Sequence, residues 1–540
     1  MKNWKKRGEC NNLAEYVKEQ TGKNVDEFLN VNKIYRIAGF DQVSQVIAHA
    51  QKERKTITIV GDYDADGIGS VLILSTLFKT LSVPFTIILP KRISEGYGIS
   101  EKIVERIDSD IVITIDNGIA AIEPIKKLKE KNKTVIILDH HLAGDVLPPA
   151  DIIIDPSAFP ETADFAYYCG AGLAYKLSEY ILGENHPLLN ILSGYAAIST
   201  IADSVLLEED NRRIVLKGML ALKTGYCTDG LKKMMELCGI DIYSTSQDIA
   251  FNLIPCINAP GRLYDDGSVM SVKAMWSTDP NAEALAKKLI EINNTRKEIV
   301  NNTMDSLDLE GMKNDSVGVS IVYLPEIPEG IAGLIAGKIT ESVGKPSIVV
   351  VKTENGVLKA SCRAKSDNVH LKHCLDECSD ILLKYGGHPK AAAFSVEEEK
   401  YSLLKERLES IFPKFERDDA LYYDFEISPN EINDTSDLLD SIQPFGEGIP
   451  EPIIRIRNVK IGDHFGNKVS FIGSEKNHLK LAFKTFGAIG FNMAEEFKNS
   501  VPEDTEYFDM MGYLQKNHYN GKTYFQIRLI DCQKSDRYEK

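Results

Sequence analysis

The chain has 540 residues, 43% of them hydrophobic and 26% charged, which is the composition of a water-soluble globular protein long enough for three or four domains. Its net charge of −16 excludes an overall basic coat for nucleic acid, although it leaves room for a local basic channel. No apolar run is long enough to cross a bilayer and the nine cysteines follow no disulfide framework, so we expect a reduced, cytoplasmic protein without membrane attachment.

Residues 1–50 are predicted to be a helical segment, and residues 51–275 to form the first large domain. Short β-branched runs predict strands at 56–60, 84–89, 111–115, 134–138 and 151–154. These runs do not alternate with polar residues, so their strands should be buried on both faces, as in a parallel sheet. Helices predicted at 67–80 and 120–131 complete the alternation. The pattern is typical of a doubly wound α/β domain with right-handed crossovers.

Aspartates close three of these predicted strands: Asp116 and Asp139 follow their strands directly, and Asp62 follows its strand after Gly61. Because the carboxyl ends of parallel strands lie along one edge of a sheet, these side chains should converge there. So many carboxylates cannot lie together ionised without a cation. The predicted ligands are Asp62, Asp64, Asp116 and His140, with Asp203 as a further acid. Carboxylate and imidazole donors suit two Mn²⁺ ions, with Mg²⁺ as the alternative, and two such ions would clamp a phosphate and generate hydroxide. For each single aspartate, the alternative is a helix N-cap.

A helical region completes the first domain, and three further parts follow it. Residues 206–275 are predicted to be mostly helical with a loop at Asn258–Arg262, and residues 276–312 to contain a long connecting helix. Residues 313–415 should form a smaller α/β domain. Residues 416–540 carry predicted short strands at 453–460, 468–473, 479–484 and 523–530, which favour a small β-barrel.

The order of the motifs resembles that of the DHH phosphoesterase superfamily and, within it, the RecJ-type single-stranded-DNA-specific exonucleases. In the first domain the matching segments are Gly61–Gly67, Pro90–Gly98, Asp116–Gly118, Asp139–His141, Asp155–Pro156, Gly170–Gly172, Ile201–Asp203, Asn211–Arg212 and Asn258–Arg262. Farther along they are Glu329–Gly333 and Gly386–His388, which resemble the DHHA1 domain, and Pro444–Pro452, which resembles the start of an OB-like domain.

The resemblance implies roles for individual residues. The metal ligands would be those predicted above, and His141 would contact the phosphate or support the site. Arg92, Arg262 and His388 would bind phosphates near the scissile bond, and Ser361 and Arg363 would belong to a pocket for the 5′ end. Arginine suits such a role because its planar fork can make bidentate contacts with phosphate oxygens.

The predicted C-terminal domain carries a local excess of positive charge. Seven Lys or Arg side chains lie between 453 and 484, namely Arg455, Arg457, Lys460, Lys468, Lys476, Lys480 and Lys484. Four phenylalanines lie among them, at Phe465, Phe471, Phe483 and Phe486. The charges are typical of a phosphate-tracking surface, while the aromatic rings would either stack on bases or form the core of the barrel.

The leading hypothesis is therefore a metal-dependent 5′→3′ exonuclease that hydrolyses single-stranded DNA to nucleoside 5′-monophosphates in recombination and repair. One alternative is a phosphodiesterase of short oligoribonucleotides or cyclic dinucleotides, which the C-terminal domain disfavours because such relatives usually lack it. The other is a catalytically silent DNA-binding replication scaffold, which the complete acidic set disfavours. The resemblance further implies a monomer that works with a single-strand-binding protein and a RecQ-type helicase.

Overall fold

The computed structural model describes residues 2–535 except 279, 354–355, 366–368, 413–419, 463–467 and 520–521. The first domain is built on a five-stranded sheet in which every pair of neighbours is parallel. Across the sheet the strands are Phe85–Ile88, Ile57–Val60, Ile111–Ile115, Thr134–Leu138 and Ile152–Ile154. Ile57–Val60 and Ile111–Ile115 are buried at every position. The predicted α/β fold with a parallel sheet is confirmed.

Helices cover both faces of this sheet. They are Phe40–Glu53, Ala65–Leu81, Glu101–Val104, Ile122–Glu130, Gly170–Leu182 and Leu188–Ala202. Ala65–Leu81 is buried almost all round because Gly170–Leu182 and Leu188–Ala202 pack against it. Its glycine at position 69 permits this approach, since a Cβ there would lie 2.1 Å from the Ser199 hydroxyl.

The N-terminal segment contains the helices Leu13–Thr21 and Val25–Leu29 ahead of Phe40–Glu53. It also contains a strand that the helical prediction missed, Trp4–Lys6, which pairs in parallel with Leu421–Tyr423 near the start of the C-terminal domain. This strand is short and its partner is more than 400 residues away, so no local pattern indicates it.

The helical region after the sheet comprises Glu209–Lys223, Asp229–Leu237, Ser246–Asp248, Ile254–Leu263 and Gly267–Trp276, with a π-helical turn at Ile249–Leu253. The predicted loop at Asn258–Arg262 is wrong, because these residues form the end of the helix Ile254–Leu263. Close packing holds the helix in spite of its internal proline. A Cβ at Gly267 would lie 2.0 Å from the Pro260 carbonyl oxygen, and one at Gly261 would lie 3.0 Å from the Tyr63 carbonyl oxygen.

The predicted connecting helix is confirmed at Ala282–Asp305 and leads through Leu309–Asn314 into the second α/β domain. The sheet of that domain has the strand order Leu382–Gly387, Ala391–Glu397, Val357–Arg363, Ser347–Lys352 and Ser320–Tyr323. Only the last pair is parallel. The accompanying helices are Glu329–Val343, Leu371–Asp376 and Tyr401–Ile411.

The C-terminal domain is a mixed seven-stranded sheet with the helices Ile432–Ile442 and Ala494–Ser500. Its strand order is Phe425–Ile427, Ile454–Lys460, Tyr507–Tyr519, Lys522–Lys534, Phe486–Gly490, His478–Ala482 and Val469–Ile472. The buried Arg212 ties this domain to the first one, since its Nη2 donates to the Gln443 carbonyl at 2.8 Å and to the Ser441 carbonyl at 3.3 Å. Among the helices described, none is long and apolar enough to span a membrane.

Candidate metal centre and phosphate-binding groove

The first acidic motif lies where the strand Ile57–Val60 turns into the helix that begins at Ala65. Asp64 is the N-cap of that helix, and its Oδ1 accepts from the backbone N–H groups of Asp66 at 3.0 Å and Gly67 at 3.2 Å. Asp62 is buried, and its Oδ1 accepts from the Gly98 N–H at 3.2 Å. The capping alternative therefore describes one oxygen of Asp64, and the other oxygen remains available to a ligand.

The second motif places Asp116 in the left-handed region, with φ of 63°, just beyond the strand Ile111–Ile115. Asp tolerates this conformation better than most residues. The carboxylate Oδ1 lies 3.0 Å from His140 Nε2. Gly170 leaves the room for this arrangement, because a Cβ there would lie 2.5 Å from the Asp116 Cβ.

Asp139 holds the two histidines rather than facing the other acids. Its Oδ1 accepts from the His140 backbone N–H at 2.8 Å and lies 2.8 Å from His141 Nδ1, while its Oδ2 accepts from the Ile119 N–H at 2.9 Å. The Tyr97 hydroxyl lies 3.1 Å from His141 Nδ1. Burial opposes protonation of His141, but the hydrogen bond and charge of Asp139 outweigh it and raise the pKa of His141 to about 9. His141 is therefore a cation at neutral pH.

Asp66 is the site residue that the sequence analysis missed. Its two carboxylate oxygens accept from the Gly170 N–H at 2.6 Å and the Ala171 N–H at 2.9 Å, and its Oδ2 lies 3.6 Å from His140 Nε2. On the other side of the imidazole, Asp203 Oδ2 lies 3.7 Å from His140 Nδ1. A signal was present in the motif itself, where Asp66 continues the every-second-residue series of Asp62 and Asp64.

The donor atoms form three overlapping groups, in each of which all atoms lie within 4.8 Å of one another. The groups are Asp62, Asp64 and Asp116; Asp66, His140 and Asp203; and Asp116, His140 and His141. Because Asp116 and His140 recur, the groups are continuous and can hold two neighbouring ions. The donors are carboxylate oxygens and imidazole nitrogens without a thiolate, a set that fits Mn²⁺ or Mg²⁺.

Like charge and burial perturb this centre strongly. Burial raises the pKa of Asp62 and Asp116 well above the usual value, and for Asp116 the charges of neighbouring aspartates add to the shift. Burial and the charges of Asp66 and Asp64 raise the pKa of Asp203 to about 8. Burial also lowers the pKa of His140, which favours the neutral imidazole that a metal requires. These shifts favour the protonated forms of Asp62, Asp116 and Asp203, and divalent cations would replace those protons.

A groove between the first and second α/β domains adjoins this centre. One cavity of about 370 Å³ is lined by Tyr63 and Arg92 of the first domain and by Lys359, Ser361 and Tyr385 of the second. The Arg92 guanidinium stacks 4.5 Å from the centre of the Tyr63 ring. Phosphate recognition at this position would place substrate between the two domains.

Two more of the predicted arginines lie at the same boundary. Arg262 Nη1 donates to the Gly330 carbonyl at 3.1 Å, and Arg363 Nη1 donates to the Cys362 carbonyl at 2.8 Å. Arg363 and Ser361 face one helix, since a Cβ at Gly333 would lie 2.7 Å from Arg363 Nη2 and 3.6 Å from the Ser361 hydroxyl. The structure thus brings these residues of both domains to the groove.

His388 is placed differently from the other predicted phosphate-binding residues. Its backbone N–H donates to the Ala391 carbonyl at 2.7 Å and closes the turn between the strands Leu382–Gly387 and Ala391–Glu397. In the part of the chain that the structure describes, no hydrogen bond or ion pair links its side chain to the acidic centre.

Part of the predicted basic and aromatic surface of the C-terminal domain is used within the domain, whereas Lys468, Lys476, Lys480 and Lys484 are exposed. Arg455 pairs with Asp509 at 3.2 Å and Arg457 with Glu426 at 2.7 Å. The rings of Phe483 and Phe486 are buried and stack at 4.8 Å, and the ring of Phe471 is half-buried beneath Lys498. Phe465 lies outside the described residues. The core alternative is confirmed for Phe483 and Phe486, whose rings cannot stack on bases.

Comparison with known families matches the three domains in order. Residues 56–202 match the DHH family N-terminal domain, residues 315–414 the DHHA1 domain, and residues 423–531 the RecJ OB domain. The single-stranded-DNA-specific exonuclease RecJ of Escherichia coli is 30% identical over 450 residues, which cover 77% of this chain and 78% of that protein. The RecJ of Bacillus subtilis is 30% identical over 526 residues, covering 93% of this chain and 64% of that protein.

Two solved structures of RecJ proteins share the fold of this chain. The structure of RecJ from Thermus thermophilus in complex with Mn²⁺ has a TM-score of 0.81 at 24% identity, covering 97% of this chain and 76% of that one, and shows the shared fold. A structure of exonuclease RecJ bound to manganese has a TM-score of 0.61 at 28% identity, covering 70% of this chain and 96% of that one. The predicted order of DHH, DHHA1 and OB domains is confirmed.

Proposed function

The chain belongs to the RecJ family of single-stranded-DNA-specific exonucleases, and we propose that it removes nucleoside 5′-monophosphates from the 5′ end of single-stranded DNA. The observation that carries the proposal is one continuous site: an acidic centre with overlapping groups of metal donors beside a groove that Arg92 lines, with Arg262 and Arg363 at the same domain boundary. Such a pair of surfaces suits a phosphodiester, which needs its phosphate held by cations and attacked by an activated water.

Each side of the site has its own part in this reaction. When bound, two divalent ions would supply a hydroxide nucleophile and neutralise charge on the scissile phosphate. Asp62, Asp64 and Asp116 would hold one ion, and Asp66, His140 and Asp203 the other. The cationic His141, fixed by Asp139 and Tyr97, would donate a hydrogen bond to a phosphate oxygen. We propose Mn²⁺ as the preferred ion, with Mg²⁺ as the alternative.

The groove would bind the strand at its 5′ end. Arg363 and Ser361 of the second domain would take the terminal phosphate and Arg92 and Arg262 of the first domain the next one, an arrangement that would put the scissile bond beside the acids. His388 is proposed to complete the phosphate contacts when DNA fills the groove. We also propose that the protein acts as a cytoplasmic monomer in DNA recombination and repair, beside a single-strand-binding protein and a RecQ-type helicase.

The test is hydrolysis of a single-stranded oligonucleotide, labelled at the 5′ or the 3′ end, with Mn²⁺ and with Mg²⁺. We expect immediate release of a labelled mononucleotide from the 5′ label and slow shortening of the 3′-labelled strand. Asp116→Asn should be inactive, because Asn keeps the left-handed backbone but removes a shared ligand charge. Asp110→Asn is the matched control, since the exposed Asp110 immediately precedes the same strand at its opposite end.

Other results would replace the proposal. Hydrolysis of dinucleotides but not of long strands would indicate the short-substrate phosphodiesterase. Tight Mn²⁺ binding without turnover of any nucleic acid would indicate the silent scaffold. Full activity of Asp116→Asn would show that the acids described above are not the catalytic centre.

A further inference from the structure

Several arginines of the groove lack a carboxylate partner, although the chain has 79 acidic residues against 63 basic ones. Arg262 and Arg363 donate to backbone carbonyls, and Arg92 stacks on an aromatic ring. Within the described ranges, no ion pair with Asp or Glu involves any of the three. An arginine placed away from bulk water without a counter-charge is costly, so a cluster of them marks a place where an anion binds.

A fourth arginine, Arg296, has the same character and lies on the connecting helix Ala282–Asp305. Its Nε and Nη2 both donate to Asn293 Oδ1, at 3.2 and 2.6 Å. The described residues offer it no carboxylate either. The accepting amide is neutral, so the guanidinium keeps its full charge, and the hydrogen-bond donors of Nη1 remain available to a ligand.

Asn293 is itself held rigidly, which fixes the direction of the Arg296 side chain. It is buried, and its Nδ2 donates to the Cys256 Sγ at 3.2 Å. Cys256 lies on the helix Ile254–Leu263, which also carries Arg262. The amide therefore connects two helices and presents the Arg296 guanidinium in one orientation, as a preorganised binding site requires.

The contact between Asn293 and Cys256 brings Arg296 to the helix Ile254–Leu263, on which Arg262 lies six residues after Cys256, and the charges agree with this placement. Burial lowers the pKa of Arg262 to about 10. Arg92 is the strongest charged contributor in this direction, and Arg296 and Arg363 add to it, while Asp64 opposes them. The charges of Arg92, Arg296 and Arg363 thus all oppose the charge of Arg262, and an anion bound among them would relieve the repulsion.

We propose that Arg296, oriented by Asn293, is a fourth phosphate-binding arginine of the groove and contacts a phosphate at the 5′ end of the bound strand. The inference rests on the proposed function for the identity of the ligand. It assigns a substrate contact to the connecting helix, so that this helix would bind DNA as well as join the two domains.

The experiment measures binding in a background that cannot cleave, so that it does not depend on turnover. Short single strands with a 3′ fluorophore and either a 5′-phosphate or a 5′-hydroxyl are titrated with Asp116→Asn protein and followed by fluorescence anisotropy. Adding Arg296→Gln should weaken binding of the 5′-phosphorylated strand about tenfold, the loss of a charge-assisted contact, and weaken binding of the 5′-hydroxyl strand much less. Arg296→Lys should recover part of the difference, because it restores the charge without the fork.

The matched control is Lys288→Gln on the same helix, where Lys288 is exposed and pairs only loosely with Glu291 at 3.7 Å. It should leave both affinities unchanged. An equal loss of affinity for both strands with Arg296→Gln, accompanied by a lower melting temperature, would overturn the proposal in favour of a structural role. If the wild-type chain degrades no strand while Arg296→Gln still removes the preference for a 5′-phosphate, the proposed exonuclease fails and the phosphate contact stands.

Discussion

Neutralising Asp203 should stabilise the metal-free protein while it inactivates the enzyme. Burial and the charges of Asp66 and Asp64 raise the pKa of Asp203 to about 8, from an ordinary value of 3.8. A group whose pKa is higher in the folded than in the unfolded state stabilises the fold fully below the unfolded pKa, and that stability is lost as the pH rises towards the folded pKa. The stability of the metal-free wild type should therefore fall between about pH 4 and pH 8, and Asp203→Asn should remove this loss.

The size of the effect follows from the same pKa values. Since pH 7 lies about 3.2 units above the unfolded pKa of 3.8 and below the folded pKa, the loss of stability by pH 7 has a ceiling of about 4 kcal/mol, at 1.36 kcal/mol per pH unit. The Asp203 side chain keeps 29% of its exposure, so water screens part of this, and we expect about 2 kcal/mol. For a domain of this size, such a gain raises the melting temperature by roughly 5 °C.

The assay is differential scanning calorimetry of chelator-treated wild type and Asp203→Asn at pH 5, 6, 7 and 8. The variant's advantage in the N-terminal transition should be small at pH 5 and grow with pH. Adding Mn²⁺ should reverse the order, because the wild type has the complete ligand set and gains more from binding. A metal-free variant that melts at or below the wild type at pH 7, or an advantage that does not change with pH, would refute the argument from repulsion between carboxylates.

Three further substitutions test other parts of the structure. Asp66→Asn should lower the turnover number by at least about 100-fold and should also lower the melting temperature, because the new amide N–H group would face the backbone N–H of Gly170 or Ala171. Steady-state kinetics and calorimetry check this, and retained activity would contradict it. Gly170→Ala should cost about 2 kcal/mol in unfolding free energy and inactivate the enzyme, since its Cβ would lie 2.5 Å from that of Asp116; unfolding in urea and an activity assay check this. Phe483→Ala should destabilise the C-terminal domain by roughly 3 kcal/mol without changing the DNA affinity of the folded protein, and a selective loss of affinity would instead restore a base-stacking role.

The parts that the sequence predicted are those that depend on local pattern. Each buried strand of the first domain is a continuous β-branched run, and the aspartate after it lies at a strand end whatever the rest of the chain does. The convergence of Asp62, Asp116 and His140 then follows from the parallel direction of the strands alone. Connectivity and strand direction were sufficient to bring these donors together without any knowledge of side-chain packing.

The parts that the sequence did not predict depend on contacts between distant segments. Proline and glycine at positions 260 and 261 are typical of a loop, but the packing of this stretch against Gly267 and Tyr63 keeps it helical. Arg296 has the spacing of any surface residue on a long helix, and only the tertiary contact of its helix neighbour Asn293 with Cys256 reveals its fixed orientation. Basic residues such as Arg455 were predicted to face DNA, and the structure shows that a partner on another strand, Asp509, already neutralises this one.

The site combines two sets of like charges that the protein leaves uncompensated. Burial and mutual repulsion raise the pKa of Asp62, Asp116 and Asp203, and the arginines across the groove are held by carbonyls, an amide and an aromatic ring rather than by those acids. If the two sets formed ion pairs, the apoprotein would be more stable, but neither metal nor phosphate could bind without first breaking the pairs. Keeping the acids and the arginines apart lowers the stability of the empty protein. Divalent ions bound to the acids and a phosphodiester bound to the arginines would restore that stability. The same separation explains why Asp203→Asn should stabilise the empty enzyme while it abolishes the reaction.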